Sequence, residues 1–79
     1  MLDAKVDALL SQMSSARSQL RNSGQFDATL VKKARELRVQ ARDMEIRDLS
    51  GSSLAPLVQR ARWSLLEAEN SYMNMEIVK

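Results

Sequence analysis

Apolar residues in this chain recur at alternating intervals of four and three over three separate stretches, and this rhythm constrains the fold more than any other feature. The first run is Leu2, Val6, Leu9, Met13, Ala16 and Leu20, and the second is Leu30, Ala34, Leu37, Ala41 and Met44. The third is Leu54, Val58, Ala61, Leu65, Ala68, Tyr72 and Met75. A repeat averaging about 3.5 residues places every member of a run on one side of an α-helix, as in the seam of a coiled coil. A strand, with its period of two, would scatter the same residues over both faces.

Two stretches interrupt the rhythm: Asn22-Ser23-Gly24-Gln25-Phe26-Asp27 and Asp48-Leu49-Ser50-Gly51-Ser52-Ser53. Both read as turns between helices. Gly24 and Gly51 suit the left-handed position after a helix end, Asp27 and Ser53 are placed to cap the following helices, and Pro56 is tolerated in a first turn. The spacing predicts helices over residues 2–22, 28–48 and 54–78 of one all-α domain covering 1–79.

Two helices folded antiparallel about a turn bring together residues whose numbers have a constant sum. Folding the second helix onto the third about Gly51 sets Met44 against Val58, Ala41 against Ala61, Leu37 against Leu65, Ala34 against Ala68 and Leu30 against Tyr72. Large side chains meet large ones, and alanine meets alanine. The same fold brings Arg35 towards Glu67, Lys33 towards Glu69 and Asp43 towards Arg60; such exposed pairs contribute only about 0 to 1 kcal/mol, yet they disfavour wrong registers.

Folding the first helix back about Gln25 pairs Leu20 with Leu30, Ala16 with Ala34, Met13 with Leu37, Leu9 with Ala41 and Val6 with Met44. The expected architecture is therefore an antiparallel helical hairpin of the last two helices, or an up-down-up three-helix bundle with coiled-coil-like heptad seams. Ala16, Ala34 and Ala68 then share a layer. Either the helices approach closely there, or the first helix packs on another chain and something else supplies the volume, because a methyl-sized void costs about 1 kcal/mol.

The residue inventory narrows function. The 79 residues include no Cys and no His, which removes disulfides, thiolate chemistry, ordinary zinc sites and the commonest general base. Asp3, Asp7, Asp43, Glu45, Glu67 and Glu69 are spread over helix faces rich in basic residues, so no metal, cofactor or catalytic constellation is expected and the chain does not read as an enzyme. No apolar run approaches the about 20 residues of a membrane span, and the start Met1-Leu2-Asp3-Ala4-Lys5 has no basic region leading into an apolar stretch. The expected location is the cytoplasm, or outside it by export without a cleaved signal peptide. A domain this small buries little core, which favours very regular packing or a partner, including a second copy of itself.

The third helix carries a second apolar stripe nearly opposite its seam: Trp63, Leu66, Asn70, Met73 and Ile77. If the first helix covered it, Trp63 would be ordinary core. Left open, it is a candidate face for a partner helix, since Trp and Met are enriched at interface centres and Asn in an apolar seam fixes register. The second helix places Arg35, Arg38 and Arg42 on one face. A small basic nucleic-acid-binding regulator would use them as phosphate contacts, although no aromatic residue stands beside them for base stacking; the plainer reading is a solvated face.

Within Arg62 to Ile77, Leu65-Leu66-Glu67-Ala68 followed by Met73-Asn74-Met75-Glu76-Ile77 resembles the C-terminal helix of the flagellar hook-basal body adaptor family, close to R-N-K-L-L-E-A-Y-x-E-I-M-x-M. Trp63-Ser64 and Glu69 depart from that pattern, which covers about a fifth of the chain. The resemblance implies assembly through terminal helices and type III export without a cleaved signal. In length and helical-hairpin architecture the chain is also similar to the small chaperones of injectisome needle subunits. Both comparisons imply a chaperone or assembly component of a bacterial secretion apparatus.

Overall fold

The computed structural model describes the backbone of residues 2–78 and the side chains of residues 3–74. It consists of α1 (Leu2–Asn22), α2 (Ala28–Asp48) and α3 (Ala55–Val78), with no strand among the described residues. Each helix packs on both of the others, forming an all-α three-helix bundle that measures 43 × 17 × 15 Å. α2 runs antiparallel to α3, so that Arg38 meets Glu69 while Glu45 meets Arg62. α1 runs parallel to α3, with Arg17 bonded to Ser64 and Leu20 lying beside Ala68 and Tyr72.

α1 packs on its own chain, which settles the choice between the two architectures. Val6, Leu9, Met13, Ala16 and Leu20 are all buried, as are Ala34, Leu37 and Ala41 of α2 and Val58, Leu65, Ala68 and Tyr72 of α3. Leu30, Met44, Leu54 and Ala61 are half-buried at the margins of this core. Leu2 and Met75 of the predicted seams lie outside the described side chains. Ala16, Ala34 and Ala68 are all buried but do not form the expected layer. Arg17 bonds Ser64 and Leu20 lies beside Ala68, so Ala16 sits about one turn from Ala68 along the bundle and the larger Leu20 stands at the level of Ala68.

The turns differ from expectation in two particulars. Gly51 has φ +77°, a conformation that costs an L-residue roughly 1 kcal/mol and glycine almost nothing. Around it the Leu49 N–H donates to the carbonyls of Met44 and Glu45, and the Ser52 N–H donates to Leu49 at 2.8 Å. Leu49 itself, outside every predicted seam, is fully buried beneath this turn. Gly24, by contrast, does not adopt a positive φ. The first turn draws its hydrogen bonds from α3 and does not depend on a left-handed glycine.

That support comes from Tyr72. Its hydroxyl donates to the Gln25 carbonyl at 2.8 Å and accepts from the Asp27 N–H at 2.5 Å, and its ring stacks on Phe26 with centroids 5.2 Å apart. Asp27 caps α2 as expected, its Oδ1 accepting from the Thr29 N–H at 2.9 Å. Ser53 does not take the corresponding place before α3. Because α3 starts one residue later than predicted, Leu54 and not Ser53 directly precedes it; Ser53 is exposed, and Ser52 Oγ accepts from the Leu54 N–H at 3.1 Å within the turn.

Candidate partner-binding face

The bundle leaves one broad face where the outer sides of α2 and α3 meet, away from α1. Trp63 is 67% exposed on it. Together with Leu66, Arg38, Gln59 and Arg62 it lines a shallow groove of about 330 Å³. Of the remaining stripe, Asn70 is exposed and Met73 is half-buried against the core. Ile77 lies outside the described side chains. α1 covers the other edge of α3, beside Ala61 and Ser64, so the closed bundle does not sequester the tryptophan.

α3 reaches this arrangement because its two stripes answer to different neighbours. Positions 58, 65, 68 and 72 face inward, and one turn of rotation away Arg62 and Glu69 face α2. A further step round the helix brings Gln59, Leu66, Trp63 and Asn70 to the surface. On α2 the flank facing α3 carries Arg38 and Glu45, four and three residues either side of Arg42. Arg42 is exposed on that same flank, and Val39 and Ile46, three before and four after it, stand 50% and 68% exposed.

Two ion pairs form the floor between the helices. The Arg38 guanidinium makes a bidentate contact with the Glu69 carboxylate, Nε donating to Oε2 at 2.5 Å and Nη2 to Oε1 at 3.0 Å, and Arg35 Nε lies 3.9 Å from the same group. Glu69 is almost wholly buried, with 3% of its side chain exposed. Arg62 donates to Glu45 at 2.8 Å, and Gln59 donates to the second Glu45 oxygen at 2.7 Å. Planar, two-point contacts of this kind are the stronger sort of ion pair and hold the side chains in fixed directions.

These are not the pairs expected from the mirror relation, which were Arg35 with Glu67, Lys33 with Glu69 and Asp43 with Arg60. The observed partners of Glu69, Arg35 and Arg38, lie two and five residues beyond the expected Lys33, so the constant sum missed the level as well as the side. In a three-helix bundle α2 has two neighbours, and Lys33 and Asp43 lie on the flank that forms grooves with α1. Arg38 is consequently not a solvated residue: it is half-buried and committed to Glu69, whereas Arg35 and Arg42 are exposed. Sequence reasoning also missed Val39 and Ile46, whose spacing of seven outside the α2 seam was the available signal.

Among the described residues no three His, Cys, Asp or Glu side chains come together as a metal-binding group, and no helix is long and apolar enough to cross a membrane. Comparisons with protein-family models, with curated proteins and with solved structures give no match.

Proposed function

We propose that this chain is a non-enzymatic interaction module that binds a helix of another protein across the Trp63 face. One observation carries the reading: after all three helices have buried their seams on one another, the only tryptophan remains two-thirds exposed beside a groove floored by Leu66. Large aromatic side chains beside a depression that mixes apolar surface with arginine, as Trp63 and Leu66 do here with Arg38 and Arg62, are the residues on which interface energy concentrates. The resemblance of Arg62 to Ile77 to flagellar adaptor helices supports placing that role in a bacterial secretion or flagellar apparatus, as a chaperone or assembly component, and a second copy of the chain is an alternative occupant.

Selection from a displayed library of amphipathic helices tests this reading. Helices enriched on the native chain are expected to bind Trp63→Ala at least about tenfold more weakly, the usual cost of truncating an interface anchor. The urea unfolding midpoint is expected to stay nearly unchanged, because Trp63 supports little of the core. Equal binding by both proteins would end the proposal.

Phosphate contact by Arg35, Arg38 and Arg42 has less support as a rival reading, since Arg38 is already bonded to Glu69. A steep loss of DNA or RNA binding with salt, removed by neutralising these three residues, would favour it.

A further inference from the structure

We infer that the helix received by this face is acidic, and that it carries two carboxylates about seven residues apart on the shoulder of its apolar stripe. The inference rests on the proposed binding role of the Trp63 face and adds the chemistry of the occupant.

The face has exposed charge of one sign. Its two carboxylates, Glu45 and Glu69, are sunk between the helices with side-chain exposures of 14% and 3%. Both are consumed by Arg62 and Arg38. What remains outward is Arg35, 63% exposed and only loosely associated with Glu69 at 3.9 Å, and Arg42, which is exposed and forms no ion pair among the described residues. The apolar surface between and beside them is Val39, Ile46, Trp63 and the half-buried Leu66.

This charge distribution discriminates between occupants. A second copy docked through the same face on a twofold axis would set Arg35 and Arg42 either against the same two arginines, α2 on α2, or against Gln59, Trp63 and Asn70, α2 on α3, and in neither case against an exposed carboxylate of this face. Exposed Asp43 and Glu67 lie beside the grooves that α1 forms with α2 and with α3, and exposed Glu36 stands roughly 100° round α2 from Arg35, on the side away from α3. A foreign acidic helix meets no such conflict.

Geometry fixes the length and spacing of the occupant. Glu45 bonds Arg62, which puts Ile46 and Trp63 within about one helical turn of each other at one end of the face, and Arg35 marks the other. The intervening eleven residues of α2 span about 16 Å, roughly three helical turns. Arg35 and Arg42 are seven residues apart, about 10.5 Å along the axis, which sets the matching spacing of the two carboxylates.

The test uses two synthetic helical peptides of about four turns, with leucines at heptad spacing and either Glu or Lys at two flanking positions seven apart. Trp63 is the sole tryptophan, so its emission reports occupancy directly. The Glu peptide is expected to shift the emission to the blue and to bind roughly tenfold more tightly than the Lys peptide, the sum of two exposed ion pairs. The double variant Arg35→Gln/Arg42→Glu, in which the Arg38–Glu69 pair is kept, is expected to lose that preference with an unchanged helical circular dichroism spectrum. If the double variant fails to fold, Arg42→Glu alone is expected to reduce the preference.

Equal binding of both peptides to the native chain would overturn the acidic assignment while leaving the binding face intact. No shift with either peptide would remove both. A shift with vesicles of phosphatidylglycerol and phosphatidylcholine, but not with peptide, would replace the helix by a lipid surface. A dimer in sedimentation that is lost in Trp63→Ala would replace it by a second copy.

Discussion

Tyr72 shows how one side chain can connect distant parts of so small a molecule. It lies in the last heptad of α3, where the period alone assigns it to the core, and it is indeed 1% exposed. Its hydroxyl nevertheless reaches the backbone on both sides of Phe26, joining Ser23 Oγ on the Gln25 carbonyl and giving the Asp27 N–H its partner. Tyr72→Phe retains the ring and its stacking but takes the partner from the Asp27 N–H, while the Gln25 carbonyl keeps its bond from Ser23 Oγ, so the urea unfolding free energy is expected to fall by about 1 kcal/mol. No pattern in the sequence encoded that contact, because it depends on where a turn of irregular backbone falls in space. Glu69 was equally hidden: a carboxylate one position past a seam residue reads as solvated until a facing Arg38 is known to cover it.

At the level of helices and turns, much could be read directly. The limits of α1 and α2 and nearly all of the seam positions follow from apolar spacing, and Asp27 from its place before the second run. Such features depend on neighbours in sequence. The glycines were less legible, since the same residue type serves a left-handed conformation in one turn and an ordinary one in the other. Their substitution separates the two cases. Gly51→Ala forces a side chain into positive φ and is expected to destabilise by about 1 kcal/mol, whereas Gly24→Ala meets no atom within 4 Å and restricts the unfolded chain, giving stability unchanged or raised by up to about 1 kcal/mol. Thermal or urea unfolding of the pair decides it.

For the molecule as a whole, the constant-sum arithmetic gave the direction in which the helices pair but not their level, since Ala68 lies beside Leu20 and not Ala16, and it could not rank an open hairpin against a closed bundle. The deciding contribution is α1, whose five buried seam residues fit the wedge between the other two helices. With that wedge filled, the outer side of α2 and α3 is the part left to a partner, and this is why Trp63 and Leu66 were legible as a stripe while Val39, Ile46 and Arg42 joined them only once the two helices were set side by side.

Ala34 and Ala41, one heptad apart on α2 and both wholly buried, have a dynamic consequence. Alanine has no side-chain rotamer to exchange, so at this height the packing has one arrangement, whereas methionine and leucine above and below it can hop between several. The waist of the bundle should therefore be its stiffest part, with both ends breathing around it. Native-state amide exchange is expected to be slowest in the turns of α2 between Ala34 and Ala41 and to quicken towards Ala28 and Asp48; uniform protection along α2 would mean that the bundle opens only as a unit.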